Sequence, residues 1–214
     1  MVHSVLQSWN LTRWRIGQVD QDALKQKLES EWIQDQKKQP VTWEAGEEQK
    51  AKADSWSLFE TYLQQTPITL DERPEGVEVS LEVDLTNRGL PRLIGILDLV
   101  RKGGRIVDFK TASTTPTREK VEHMHEVQLS CYSLLYRAST GRTEGGRELH
   151  HLVKLKTPKV VITEFPPMTQ QQEIKLFRIM ESYVNGIQNE DWIPSPSPMS
   201  CACCEFFKEC RNWS

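Results

Sequence analysis

Residues Gly95–Lys110 have the sequence GILDLVRKGGRIVDFK, and this stretch decides the fold. Its apolar residues predict two short strands, because strand side chains alternate between two faces. The glycines of Lys102–Arg105 predict the hairpin between them, since glycine reaches the positive φ that a tight two-residue turn needs. The first strand is predicted to be central and covered on both sides, with Leu93, Leu97 and Leu99 on one face and Ile94, Ile96 and Val100 on the other.

Three ionisable side chains fall near the end of this predicted ribbon. Asp98 lies among the isoleucines of the first strand, whereas Asp108 and Lys110 share one face of the second strand. Burying an unpaired carboxylate costs on the order of several kcal/mol. Two arrangements would remove that cost: a structural Asp–Lys salt bridge, or a site where carboxylate and carbonyl oxygens hold Mg²⁺ or Mn²⁺.

The spacing Gly95-x-x-Asp98, followed ten residues later by the DFKT sequence of Asp108–Thr111, resembles the core of the PD-(D/E)xK nucleases. It is most similar to the RecB-like exonucleases, which include CRISPR-associated exonucleases with iron–sulfur clusters. The resemblance implies an α/β, restriction-endonuclease-like core in which helices flank a central mixed sheet. It also implies a metal-dependent DNA nuclease, more specifically an exonuclease, acting in DNA repair, recombination or phage- and CRISPR-related processing.

The same resemblance implies roles for the residues of the ribbon. Asp98, Asp108 and Lys110 would be catalytic. Asp98, Asp108 and the Phe109 carbonyl would bind one or two Mg²⁺ or Mn²⁺ ions, which activate water and stabilise charge on a phosphate. Lys110 would orient or deprotonate the attacking water.

The N-terminal residues resemble another part of the family pattern. RecB-like nucleases carry a helix with a G-x-x-x-H-x-x-L-E motif, and residues 3–7 (HSVLQ) match its second half except that Gln7 replaces the acid. The resemblance implies His3 as a further metal ligand. Because the apolar pattern starts in mid-helix without a capping residue, we expect the chain to lack a preceding segment.

A predicted helix over Arg118–Ala138 follows the ribbon. Gln128 and Tyr132 lie one turn apart in it, so both fall on one edge of its apolar face. Their spacing resembles the Q-x-x-x-Y motif of the RecB-like branch, which implies that both residues bind DNA.

The strand predicted before the ribbon, Val77–Leu85, alternates regularly between apolar and polar residues. This pattern is typical of a half-exposed strand, and we expect it to pair with residues 93–100. Glu78 and Glu82 are predicted on its solvent face, from which either could approach the metal without binding it directly. The predicted apolar face contains Val77, Val79, Leu81, Val83 and Leu85.

Composition is consistent with a nuclease of this kind. The 214 residues carry a net charge of −3, and 37% of them are hydrophobic, enough for one well-buried domain. Residues 1–90 have ten Lys/Arg and sixteen Asp/Glu, whereas residues 91–214 have seventeen and fourteen. The half with the predicted site is therefore the more basic, which is consistent with a phosphate-bearing substrate. No apolar run approaches a membrane span and no signal peptide is apparent, which predicts a cytoplasmic protein.

We predict three regions: residues 1–66, the N-terminal helical part; residues 67–190, the α/β nuclease core; and residues 191–214, a Pro/Ser linker and Cys-rich tail.

Four of the five cysteines lie in the last fourteen residues. This clustering is typical of a metal site in a protein of a reducing compartment. Cys201, Cys204 and Cys210 resemble the C-terminal triplet of the iron–sulfur RecB-like nucleases. This implies a [4Fe–4S] cluster with its fourth ligand in a preceding segment; thiolates also suit Zn²⁺.

The implied partner is DNA with a single-stranded end, and the resemblance leaves room for a helicase or recombination partner. Two other interpretations stay open. One is a catalytically inactive nuclease-like module that binds DNA or protein, which the Gln7 substitution would permit. The other is a zinc-stabilised interaction module in which Asp98 and Lys110 form a buried ion pair.

Overall fold

A computed structural model describes residues 2–15, 17, 19–38, 40–191, 201 and 204–212. The chain divides into two compact units, Met1–Glu173 and Ile174–Ser214. No described helix is long and apolar enough to cross a bilayer. In chain order the elements are α1 (Val2–Arg15), α2 (Gln21–Lys38), α3 (Glu47–Gln65), β1 (Gly76–Val83), a 3₁₀ turn (Thr86–Arg88), β2 (Leu93–Arg101), β3 (Arg105–Ala112), α4 (Arg118–Thr140), β4 (Gly146–Val153), β5 (Lys159–Phe165), α5 (Gln170–Gln188) and α6 (Phe207–Arg211).

The five strands form one mixed sheet in the order β1-β2-β3-β4-β5. Only β3 and β4 run parallel, and α4 supplies the crossover that a parallel pair needs. Neighbouring residues of β3 contact different layers: the Phe109 ring packs against Tyr62 of α3, whereas Asp108 lies near Gln128 of α4. Because adjacent strand residues face opposite sides, the N-terminal helical layer and α4 cover opposite faces. The predicted α/β core with flanking helices is confirmed.

The hairpin between β2 and β3 lies where the glycines predict it. Gly103 and Gly104 have φ values of 80° and 72°, which glycine adopts at little cost. The loop contains three residues, Lys102–Gly104, rather than two, because Arg101 pairs with Arg105. A Cβ atom on Gly104 would lie 2.2 Å from the Tyr136 hydroxyl, so packing against α4 also requires glycine there.

Strands β2 and β3 stay together only near this hairpin. Their paired residues end at Leu99 and Val107, although β2 continues beside β1 and β3 continues beside β4. At the point of separation the Phe109 N–H donates to Asp98 Oδ2 over 2.8 Å. A carboxylate thus replaces a backbone carbonyl as acceptor, and a gap opens between the two strands.

The prediction that the first ribbon strand is covered on both sides is wrong. Ile94 and Ile96 are 62% and 51% exposed. The prediction that Leu97 and Leu99 share a face is also wrong: Leu97 packs with Leu135 of α4, whereas Leu99 belongs to the core of the N-terminal helical layer. The two-residue alternation is therefore interrupted at Asp98.

Strand β1 shows the same interruption. Val77 packs in the core of the helical layer, whereas Leu81 and Val83 pack against the α4 side, so the single apolar face predicted for this strand is also wrong. Between them Glu78 has a φ of 50°, a left-handed conformation that is uncommon for a residue other than glycine. One such residue re-aims a strand's side chains, as a β-bulge does.

Candidate active site between β2, β3 and α4

The Asp108 side chain forms the centre of the site. Asp108 is 2% exposed. The Lys110 Nζ lies 2.8 Å from its Oδ2, but the approach lacks hydrogen-bond geometry and no donor serves that buried oxygen. Its Oδ1 lies 3.4 Å from both the Gln128 Nε2 and the Tyr132 hydroxyl. Asp108 is therefore contacted on one side by a cation and on the other by two neutral donors.

Helix α4 presents those two donors as a pair. The Gln128 Nε2 donates to the Tyr132 hydroxyl over 2.9 Å, as their one-turn spacing permits. Burial and the charge of Asp108 raise the pKa of Tyr132 to about 12, so its hydroxyl keeps its proton at neutral pH and can donate to Asp108. Gly95 allows this close packing, because a Cβ atom there would lie 2.6 Å from Leu135 Cδ1.

Asp98 enters the site from β2 with 15% of its side chain exposed. Burial raises its pKa, and the nearby Asp108 carboxylate adds to the rise, although the Phe109 N–H acts against it. The His3 Nδ1 of α1 lies 3.8 Å from Asp98 Oδ2, with 44% of the imidazole exposed. The structure thus places His3 beside the acidic residues to which sequence reasoning assigned it.

The donor set suits a hard cation. In an extended strand the N–H and C=O of one residue point to the same edge, so the Phe109 carbonyl faces the gap that its N–H reaches. Carboxylate and carbonyl oxygens are the usual ligands of Mg²⁺, and Asp108 offers a buried carboxylate whose Oδ2 contacts Lys110 without forming a hydrogen bond. Among the described residues, however, no three His, Cys, Asp or Glu side chains are already gathered around one point.

The sequence model of the PD-(D/E)XK nuclease superfamily matches residues 1–211. The chain belongs to the PD-(D/E)XK nuclease superfamily. Membership indicates a hydrolytic nuclease, and nucleases of this superfamily typically use divalent metals.

One solved structure shares the fold of this chain. The chain is similar to a crystal structure described as a "Putative exonuclease" from Eubacterium rectale, with 14% identity and a TM-score of 0.58, covering 88% of this chain and 71% of that one. That likeness shows a shared fold. The structure of the protein SSO0001 matches more weakly, with 16% identity, a TM-score of 0.39 and coverage of 61% of this chain and 56% of that one. No curated protein matches the sequence.

This member of the nuclease superfamily carries two histidines near the site, His125 and His151, that sequence reasoning did not assign to it. His151 of β4 is 4% exposed and pairs in register with Lys110. Its ring lies 5.9 Å from that of His125 on α4. Burial, with His125 and Lys110 adding to it, lowers the pKa of His151 to about 4, so it is neutral at pH 7. The strand register that places His151 next to Lys110 is the signal that would have identified it.

The four C-terminal cysteines of this nuclease-superfamily member lie in the second unit. The Cys204 N–H donates to the Cys201 carbonyl over 3.5 Å, and Cys210 lies in α6. Cys203 falls outside the described residues. Within the described part of the tail the thiols are not gathered around a metal position, so the iron–sulfur or zinc site stays a prediction.

Proposed function

We propose that the protein is a Mg²⁺- or Mn²⁺-dependent DNA exonuclease that hydrolyses phosphodiester bonds at an end with single-stranded character. The observation that supports this most is the Asp108 Oδ2 atom, which is buried, has no hydrogen-bond donor and lies beside Lys110. The Lys110 ammonium compensates one side of this carboxylate, whereas the contacts on its other oxygen are long, at 3.4 Å, so the carboxylate can also serve as a ligand of a hard cation.

The chain's own groups would hold the cation in the gap between β2 and β3. Asp98, Asp108 and the Phe109 carbonyl would supply oxygens, and His3 would supply a nitrogen from α1. When bound, the cation would supply an activated water and a counter-charge for the scissile phosphate.

Lys110 would act on the attacking water and on the phosphate. Its Nζ lies against the Asp108 carboxylate, and 26% of its side chain is exposed toward solvent. From there the ammonium group can orient the water and stabilise negative charge that develops on the phosphate. Its removal would cost on the order of 10²–10⁴ in rate, as for other groups that assist proton transfer.

Gln128 and Tyr132 would position the DNA strand. Both are neutral donors, and they already form a hydrogen bond to each other beside Asp108. An amide and a phenol placed there can contact a phosphate or sugar without placing another charge next to the cation. Because His151 is neutral at pH 7, it adds no positive charge beside Lys110. The positive group that contacts Asp108 is therefore the Lys110 ammonium.

The test is cleavage of end-labelled single- and double-stranded DNA in Mg²⁺, Mn²⁺ or EDTA. We expect metal-dependent cleavage by the wild type, loss of cleavage in Lys110→Ala, and no loss in Lys102→Ala, whose lysine lies in the exposed hairpin loop. Short products from labelled ends, with closed circular DNA left intact, would identify an exonuclease. DNA binding without cleavage would instead identify a catalytically inactive DNA-binding module.

We also propose that Cys201, Cys204 and Cys210 hold a structural [4Fe–4S] cluster or Zn²⁺. The support is their spacing and their thiolate chemistry. Anaerobic purification followed by iron, sulfide and zinc analysis tests it, with Cys131→Ser as the control for Cys204→Ser. A metal content near zero in the wild type would refute it.

The biological setting is proposed on the same basis. The chemistry suits DNA repair, recombination or phage- and CRISPR-related processing in the cytoplasm, alone or with a helicase partner.

A further inference from the structure

Glu78 has an unusual backbone for its position in the sheet. It lies within β1, yet its φ of 50° is left-handed. Glycine would adopt this conformation without strain, whereas a glutamate does so only when the surrounding structure holds it there. Strand formation alone therefore does not explain why a glutamate occupies this position.

The strand register places Glu78 opposite Asp98. The flanking pairs are Val77 with Leu99 and Val79 with Leu97, and neither Glu78 nor Asp98 is itself among the paired residues. Both strands exchange their inward and outward faces at this point. Opposed residues of an antiparallel pair lie side by side, so the two acidic residues meet where the gap to β3 opens.

The charge of Glu78 is not compensated by protein groups. In the described part of the chain no lysine, arginine or histidine forms an ion pair with it, and no donor forms a hydrogen bond to it. Like charges directly opposite each other destabilise a strand pair, so this arrangement is unfavourable for the protein alone.

A separate observation points to a ligand at the same place. Asp108 is 2% exposed, and its Oδ2 accepts no hydrogen bond. Asp98 accepts a hydrogen bond from Phe109, the residue after Asp108, and Glu78 lies opposite Asp98 on the next strand. Three carboxylates thus follow one another across β1, β2 and β3, with Lys110 as the nearest ammonium group.

We propose that Glu78 is a further acidic ligand of the divalent cation, held by its left-handed backbone on the opposite side of Asp98 from Asp108. The proposal rests on the proposed function, since it concerns the same cation. Because the carboxylates are not yet gathered around one point, cation binding has to draw them together. A divalent ion removes the mutual repulsion of the three carboxylates, which one lysine cannot do.

The test compares Glu78→Gln with Glu82→Gln. Glu82 lies on the same strand with 60% of its side chain exposed and pairs with Arg92, so its replacement changes the same charge away from the site. Titration of DNA-free protein with Mn²⁺, followed by calorimetry and by the electron paramagnetic resonance of the free ion, measures affinity without any cleavage assay. We expect Glu78→Gln to weaken Mn²⁺ binding about 10–100-fold and Glu82→Gln to leave it within about twofold.

A second variant, Glu78→Gly, provides the same test if Glu78→Gln does not fold. Glu78→Gly removes the carboxylate and suits the positive φ, so we expect it to be at least as stable as the wild type without cation and to lose the same Mn²⁺ affinity. Mn²⁺ affinity equal to that of Glu82→Gln in both Glu78 variants would overturn the proposal while leaving the nuclease function intact. Wild-type protein that neither binds Mn²⁺ nor cleaves DNA would overturn the proposed function itself.

Discussion

Two groups of polar and charged residues are centred on neighbouring strands of the same sheet, and they differ in whether their charges are matched by protein groups. Both are largely buried, and both draw on β2. We call them the paired cluster and the open cluster. The paired cluster contains Tyr62, Glu72, Arg101, Glu148 and His150; the open cluster contains Glu78, Asp98, Asp108 and Lys110.

The paired cluster satisfies its charges within the protein. Arg101 bonds to Glu72 over 2.7 Å and to Glu148 over 3.0 Å. His150 lies 2.7 Å from Glu148 through one ring nitrogen and 2.8 Å from the Tyr62 hydroxyl through the other. Every charged member has a partner, so the cluster joins the helical layer to the sheet and leaves nothing for a ligand.

The open cluster has three carboxylates and one ammonium group. One carboxylate oxygen accepts no hydrogen bond, and one carboxylate has neither a hydrogen bond nor an ion pair among the described residues. The comparison teaches that burial of charge does not by itself mark a functional site. Incomplete compensation of buried charge does, because folding alone does not favour it.

The largest expected effect is on activity in the open cluster. Asp108→Asn keeps the size of the side chain but removes the proposed cation ligand, so we expect metal-dependent DNA cleavage to fall at least about 10²-fold. Unfolding in cation-free buffer should show a smaller loss of stability than Glu148→Gln causes, because the Lys110 partner is 26% exposed and remains in contact with solvent. If Asp108→Asn instead lowered stability strongly while its folded fraction still cleaved DNA at the wild-type rate, Asp108 would behave like a member of the paired cluster, and the distinction between the two clusters would be wrong.

The next effect is on stability in the paired cluster. Glu148 is 2% exposed, and Glu148→Gln removes the charge that pairs with Arg101. We expect the free energy of unfolding to fall by about 3–5 kcal/mol, the usual cost of breaking a buried ion pair. Urea denaturation measures it, with the exposed Glu164→Gln as control, and the cleavage rate per folded molecule should not change.

The two clusters should also respond to pH with opposite signs. Burial alone would raise the pKa of Glu148, but His150 and Arg101 lower it, so its stabilisation is lost as pH falls below about 4.3 toward the lowered pKa. Burial and Asp108 raise the pKa of Asp98, so stability falls as pH rises from about 3.9 toward the raised pKa.

Cation-free unfolding followed from pH 3 to 7 measures both signs. We expect Asp98→Asn to remove the loss at rising pH, since asparagine still accepts the Phe109 N–H, and Glu148→Gln to remove the loss at falling pH. Identical pH profiles for the two variants would contradict the comparison.

The smallest expected effect is at Tyr132. Tyr132→Phe removes one hydroxyl from the edge of the open cluster, and a single hydrogen bond contributes about 0.5–1.5 kcal/mol. We therefore expect the cleavage rate to fall about 2–10-fold, the kinetic equivalent of that energy. Tyr183→Phe, at an exposed tyrosine of α5, serves as control, and equal rates for both variants would remove Tyr132 from the site.

Local pattern predicted much of this molecule. The ribbon, its glycine turn and the helix that follows are encoded within a few residues each, and the one-turn spacing of Gln128 and Tyr132 predicted that both lie on one edge of that helix, where they form a hydrogen bond. Asp98, Asp108, Lys110, Gln128, Tyr132 and His3 of the predicted site also lie near one another in the structure.

The sequence could not predict what depends on contacts between strands. Strict alternation predicted that Leu97 and Leu99 share one face of β2. The prediction failed because nothing in the sequence indicates the left-handed backbone of Glu78 on the neighbouring strand. His151 escaped notice because its neighbour Lys110 is 41 positions away in the chain and meets it only through the parallel pairing. Such features follow from register, which a single strand does not specify.

The hydrogen bond from Phe109 to Asp98 gives the protein a built-in spectroscopic reporter. An amide proton that points at a charged carboxylate resonates far downfield in a nuclear magnetic resonance spectrum. Any ion that draws charge from Asp98 should move that resonance upfield. One backbone proton would then report occupancy of the site in solution, with no DNA, label or turnover required.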